Sequence, residues 1–327
     1  MPLIAYREAV SAAMREEMER DDRVFLLGEE VALYNGAFKA SAGLYERFGE
    51  RRVIDAPISE AGFAGLGIGA AMAGLRPIIE FMTFNFAVLA LDQVINNAAK
   101  IHQMSGGQLR CPIVFRGPTG SAQQLASQHS QSLEAQYAHI PGLKVVMPAT
   151  PRDAKGLLKA AIRDDDPVIV MENETLYGLK GEVEDGELVI PIGQADVKRA
   201  GADVTIVTWG KMIFPCLDAA TLLAKDGIDA EVIDLRTVRP IDEKAILDSV
   251  AKTHRAVVVE EAWPLAGVGG SVTSLISTEG FDDLDAPVQR LNGIDAPMSY
   301  AKNLESLALP TAARIAAAAR RACYRES

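Results

Sequence analysis

A glutamate stands at the mouth of a segment that otherwise carries nothing polar. Glu60 follows Ser59 and precedes Ala61-Gly62-Phe63-Ala64-Gly65-Leu66-Gly67-Ile68-Gly69-Ala70-Ala71-Met72-Ala73-Gly74. Ser59 suits an N-cap, and Glu60 falls in the first helical turn, where the helix dipole favours a negative charge. A helix so small-sided and uncharged is expected to be buried, so a carboxylate at its mouth is either paired or used. Three other groups are candidates for chemistry. Glu80-Phe81-Met82-Thr83-Phe84-Asn85-Phe86 ends a strand pattern and begins a helix pattern. Side chains at the C-terminal end of such a strand face the crevice where α/β proteins bind ligands, and an aromatic there can stack on a flat heterocycle. Phe81 and Phe84 read as core; Phe86 stays open between core and ligand contact. His129 sits in the polar run Gln128-His129-Ser130-Gln131-Ser132. Its imidazole either moves protons or orders its loop. Asp164-Asp165-Asp166, before Pro167, reads as a solvated acidic turn or as a place for a hard cation.

These residues must be positioned by an alternation of apolar strands and helix patterns, the mark of parallel α/β sheets. Helix is expected over 5–20, followed by a strand at Val24-Phe25-Leu26-Leu27 that ends at Gly28-Glu29-Glu30. A short strand and turn at 53–59 precede the Glu60 helix, placed at 59–74. Strands are expected at 77–81, 112–116, 143–147 and 167–171, with helices at 86–103, 131–138 and 152–163. Thr150 and Pro151 form the cap and first turn of the last of these. Gly178 to Glu187 is Gly-rich and acidic and reads as a surface connection. A second rhythm follows, with strands at 203–208, 229–234, 256–260 and 288–292 and helices at 211–225, 241–251, 268–278 and 310–322. Gly65, Gly67 and Gly69 do not form a dinucleotide loop, because they lie inside a helix pattern and no acidic strand end follows at the right spacing. Close helix packing, as at a subunit interface, accounts for them better.

Composition removes several functional classes. The chain has 327 residues, 49% of them hydrophobic, which is enough for two domains. A net charge of -11 without basic blocks argues against nucleic acid or an anionic membrane as partner. Cys111, Cys216 and Cys323 are far apart and match no metal spacing, as expected of a reduced, cytoplasmic protein. Charge arrives early in Met1-Pro2-Leu3-Ile4-Ala5-Tyr6-Arg7-Glu8, unlike a signal peptide. No uncharged stretch reaches the roughly 18 apolar residues of a membrane span. No zinc-type His/Cys/Asp cluster and no G-x-S-x-G elbow is present.

The motifs LLGEEV, DAPISEAGFAGLGIGAAMAG, RPIIEFMTFNF, QVINNAAK, MSGGQ, PIVFRGP, SQHSQS, PGLKVVMPATPRDAKGLLKAAIRDDDP and DAPMSYAKNLE run through the chain in this order. In them the chain resembles the beta subunits of the thiamine-diphosphate-dependent 2-oxoacid dehydrogenases, and FMTFNF and MSGG resemble the pyruvate type. The resemblance implies an α/β chain of two domains. Residues 1–185 would form a parallel-sheet domain binding the cofactor pyrimidine, and residues 186–327 a transketolase C-terminal-type domain. It implies that Glu60 faces ring nitrogen N1′ of the aminopyrimidine and shares a proton with it, and that Phe86 packs on that ring. His129 matches a loop histidine placed for proton transfer or for lipoyl acetylation. A potassium site would use Ile113, Ala161 and Ile162 through backbone carbonyls, with Asp164 and Asp166; Asp166 stands where the family commonly has asparagine.

One family feature is missing from the sequence. Thiamine enzymes hold the diphosphate through magnesium bound at a G-D-G motif, and the nearest sequence here is Lys225-Asp226-Gly227. The resemblance therefore implies a shared site, with magnesium supplied by an alpha subunit in an α2β2 heterotetramer that acts on a dihydrolipoamide acyltransferase core. Branched-chain 2-oxoacid and acetoin dehydrogenase beta subunits are the near alternatives. A non-catalytic scaffold that binds the acyltransferase through its C-terminal domain is the remote one, and it has no need for Glu60.

Overall fold

A computed structural model describes residues 1–325. Seven strands form the first sheet, in the order Thr237–Arg239, Lys144–Val146, Val168–Asn173, Val114–Thr119, Arg76–Glu80, Val24–Gly28 and Val53–Asp55. All are parallel except Thr237–Arg239, which pairs antiparallel with Lys144–Val146. The central strands Val24–Gly28, Val114–Thr119 and Val168–Asn173 are buried at every residue. That is why each begins as an apolar run, Val-Phe-Leu-Leu, Val-Phe and Val-Ile-Val-Met: helices cover both faces of a parallel sheet. A second sheet of five strands has the order Gln289–Leu291, Ala256–Val259, Val204–Thr208, Ala230–Asp234 and Asp196–Arg199, with the last antiparallel. No helix among the described residues is long and apolar enough to cross a membrane.

The helices follow their local chemistry. Helix Pro151–Arg163 starts with proline in its first turn, and the Thr150 hydroxyl accepts from the Asp153 amide at 3.1 Å. Helix Tyr6–Arg20 begins with the Glu8 carboxylate accepting from the Ala5 amide at 2.7 Å. Beneath these two helices, Glu17 is fully buried and receives Arg163 in a bidentate pair at 2.6 and 2.9 Å.

Four expectations change. The helix expected over 86–103 is broken into Phe84–Ala87, a 3-10 turn at Val88–Ala90, a π-helical stretch at Gln93–Ala98 and Ile101–Met104. Its wide turn presses Gln93 onto the Glu60 helix, where a Cβ on Gly65 would lie 3.3 Å from the Gln93 side-chain oxygen. The Glu60 helix, Glu60–Met72, is buried on one face only: Glu60, Phe63, Ala64, Gly67, Ile68 and Ala71 face inward, while Leu66 is 59% exposed. Ser59 occupies the N-cap position, yet its hydroxyl makes no capping hydrogen bond. The connection at 178–187 is more than a surface loop. Lys180–Glu182 pairs antiparallel with Leu3–Ala5, and Val183, Leu188 and Ile190 bury against Leu157.

Candidate active site

Strands Val53–Asp55, Val24–Gly28 and Arg76–Glu80 are neighbours in the first sheet, and their C-terminal ends supply the site. Gly28 pairs with Glu80 so closely that a Cβ on Gly28 would lie 2.4 Å from the Glu80 carbonyl oxygen. Glycine is required there, and it lets the chain turn directly into Glu29. The next strand end, Asp55, holds that turn by accepting from the amides of Ala32 at 2.7 Å and Leu33 at 3.2 Å.

Glu60 begins its helix just beyond Asp55 and is only 5% exposed. A second buried carboxylate, Glu29, feels its charge; it is 6% exposed and accepts from the Met82 amide at 3.4 Å. Burial, and then the charge of Glu60, push the Glu29 carboxyl above its ordinary value. No ion pair reaches either carboxylate among the described residues. The Glu29 carboxyl therefore holds a proton more readily than an exposed one, beside a second buried carboxylate. Sequence reasoning missed Glu29. The signal was present in the LLGEEV motif, but a Gly-Glu-Glu turn after a strand ordinarily reads as solvated.

Phe86 and His129 come together. Their rings are 5.1 Å apart at 79°, edge to face, and both are partly exposed. Phe81 and Phe84 are core, at 1% and 0% exposure. Phe86 is placed by the turn at Thr83, whose hydroxyl accepts from the Asn85 amide at 3.4 Å. His129 closes the 3-10 turn Ser127–His129. Asn85 joins the two segments by accepting from the Gln131 amide at 3.0 Å. Phe86 thus follows the strand Arg76–Glu80, which Val24–Gly28 separates from the strand before Glu60, and His129 lies against its ring.

The acidic loop lies elsewhere, behind the Pro151–Arg163 helix. Its groups converge, but the protein's own cations meet them. Arg76 donates to the carbonyls of Ile162 and Asp164 at 3.1 and 2.9 Å. Lys144 reaches both oxygens of the Asp164 carboxylate at 2.7 Å and Asp166 at 3.2 Å. The Ile113 carbonyl accepts from Val168 at 2.9 Å, and that of Ala161 from Asp164 at 3.2 Å. No group of three or more His, Cys, Asp or Glu side chains is arranged to hold a metal among the described residues. At Lys225-Asp226-Gly227, Asp226 receives Arg320 at 2.6 and 2.9 Å, which ties the C-terminal helix to its neighbour.

Two family models match the chain: the transketolase pyrimidine binding domain over residues 3–180 and the transketolase C-terminal domain over residues 193–315. A solved structure described as a split-gene transketolase, an inactive beta4 tetramer, superposes with a TM-score of 0.80 at 23% identity over 99% of both chains. Fold and site therefore define a transketolase-type α/β chain. Among curated proteins, the pyruvate dehydrogenase E1 component subunit beta of Rickettsia conorii is 56% identical over 98% of both chains. The protein of the same name from Rhizobium meliloti is 54% identical, over 99% of this chain and 71% of its own length. The mitochondrial one from Dictyostelium discoideum is 51% identical over 98% and 92%. The chain belongs to the family of pyruvate dehydrogenase E1 beta subunits and is an enzyme subunit.

Proposed function

We propose that the chain provides the pyrimidine side of a thiamine diphosphate site. With an alpha subunit, in an α2β2 assembly, it decarboxylates pyruvate oxidatively and passes the acetyl group to the lipoyl group of a dihydrolipoamide acyltransferase core. The observation that carries this reading is the Glu60–Glu29 pair, two buried carboxylates without a cation at the ligand-binding edge of the sheet. When bound, the cofactor supplies the electron sink for decarboxylation of a 2-oxoacid. Glu60 would hold the proton shared with ring nitrogen N1′ of the bound cofactor. Glu29, whose carboxyl burial and the charge of Glu60 push above its ordinary value, stands beside it as a second proton holder. Phe86 would provide the aromatic face for the ring. His129, at the open edge of Phe86, would give or take a proton at the site entrance.

Features of the surface support this reading of the partners. Asp226 is engaged by Arg320, so Lys225-Asp226-Gly227 offers no free carboxylate to magnesium, in keeping with a magnesium site on the alpha subunit. Ile58, Leu66 and Leu89, 84%, 59% and 61% exposed, give the mouth of the Glu60 helix an apolar outer face suited to subunit contact. Potassium remains part of the proposal at Ile113, Ala161, Ile162, Asp164 and Asp166. The donor set, mostly neutral carbonyls, suits a weakly held monovalent ion rather than a divalent one, but Lys144 must yield the carboxylates first. No step of the reaction runs through it. The three cysteines are free, which supports a reducing compartment such as the cytoplasm.

The test is turnover by the chain reconstituted with its alpha subunit. Pyruvate is expected to outpace branched 2-oxoacids and acetoin. Preference for either of those would move the chain to a neighbouring branch, and no turnover of any would favour the scaffold.

A further inference from the structure

The loop that carries His129 follows a backbone path that its own sequence does not favour. Gln123, Gln124 and Ala126, none of them glycine, have φ of +49, +72 and +63°. Such residues persist only where their surroundings hold them. What holds them comes from the second half of the chain. The Ser121 amide donates to the Glu261 carboxylate at 2.6 Å. Glu261 pairs with Lys211 at 2.6 Å, and the Lys211 ammonium also donates to the Ser121 hydroxyl. The Gln124 amide donates to the Glu305 carboxylate at 3.0 Å, and the Ser127 hydroxyl to the Met298 carbonyl at 2.8 Å. The anchors fall at every third residue and stop two residues before His129. The charged anchors are shielded from water: Lys211 and Glu261 have 9% of their side chains exposed, and Glu305 is 8% exposed. Gly120, with φ of +79°, approaches Glu261 so closely that a Cβ would meet its carboxylate at 2.7 Å. The far end of the loop is tied to the Phe86 segment, through the Gln131 amide on Asn85.

We infer that Glu261, with Lys211 and Glu305, is a positioning residue: it clamps loop 120–129 so that His129 stands against Phe86. This rests on the reading of His129 as the group that moves a proton at the site entrance. The clamp crosses between the two sheets, so anything that shifts the second against the first moves His129 relative to Phe86. Burial makes the charged hydrogen bonds strong enough to offset the loop's unfavourable φ values.

The test uses the assembled enzyme with Glu261→Gln and Glu305→Ala combined. Glu261→Gln keeps shape and an acceptor oxygen but loses the ion pair with Lys211. Acetyl transfer to a lipoyl domain is expected to fall roughly tenfold. Cofactor affinity should hold, and amide exchange over 120–129 should speed up. On a His129→Ala background the same two changes should cost no further rate, because they act through His129. An equal loss with and without His129, or unchanged exchange in the loop, overturns the proposal. Wild-type rates for His129→Ala alone would instead refute the reading of His129, while the exchange result would still report on the clamp.

Discussion

Two sets of buried carboxylates stand at neighbouring strand ends of the same sheet, and the fold treats them oppositely. Glu80 and Glu172 share Arg116, which is 1% exposed. Arg116 grips Glu172 with two hydrogen bonds of 2.6 Å and also pairs with Glu80, while the Tyr177 hydroxyl donates to Glu172 at 2.8 Å. Burial works against the guanidinium's charge, but Glu172 and Glu80 together hold it protonated. Glu60 and Glu29 have no such partner. Burial of a charge is costly unless it is paired. Where the fold supplies the partner, the carboxylate is scaffold; where it leaves the partner out, the carboxylate is free for the ligand proposed above. The contrast orders the expected effects of substitution.

Arg116→Met should have the largest effect. It leaves Glu80 and Glu172 buried without a cation and should cost about 3–5 kcal/mol of stability, read from urea unfolding. Adding Glu80→Gln and Glu172→Gln should recover part of the loss, and a harmless Arg116→Met would erase the distinction between the two sets. Glu60→Gln should do the reverse. Fold and assembly should survive, while turnover falls on the order of 10²-fold or more, because an amide cannot share the proton as a carboxylate does. Near-normal turnover in an intact assembly would remove Glu60 from the chemistry.

Glu134 sharpens the comparison as an intermediate case. It is fully buried at the contact between the two halves and has only neutral donors, the Ser132 hydroxyl at 2.9 Å and the Trp209 indole at 3.2 Å. Burial pushes its carboxyl up to about 7 from an ordinary 4.5. A raised folded value means that its stabilising effect is complete below pH 4.5 and is lost as pH rises through 7. Glu134→Gln should flatten that fall, worth about 2 kcal/mol, in melting curves taken from pH 5 to 8. An unchanged pH slope would show that Glu134 is ionised throughout. The smallest effect belongs to Glu29→Gln, which removes the repulsion on Glu60. Stability above pH 7 should rise by about 1 kcal/mol or less, while activity falls. A loss of stability would mean that the pair is held by a partner after all.

The parts of this arrangement that follow local rules were legible in the sequence. Thr150-Pro151 announces its helix, the apolar strands announce the buried sheet, and a lone carboxylate before a Gly/Ala helix announces Glu60. Phe86 and His129 were legible as candidates by their strand-end and loop positions; their contact was not, because 43 residues of chain separate them. Strand Thr237–Arg239 joins the first sheet from the second half of the chain, and three residues carry no alternation to show it. Lys180–Glu182 has no apolar residue that would mark it as a strand. Glu29 escaped because its burial comes from the loop folded over it by Asp55, a tertiary contact. The break at 86–103 likewise comes from packing against the Glu60 helix rather than from any Pro or Gly in the segment.

The central claim is that this chain holds the pyrimidine half of a divided site and nothing for the diphosphate. Calorimetric titration of thiamine diphosphate with magnesium, into the chain alone and into the chain mixed with its alpha subunit, tests it most directly. The account expects weak or undetectable binding to the chain alone and tight, magnesium-dependent binding to the mixture. Tight magnesium-dependent binding by the isolated chain would contradict it.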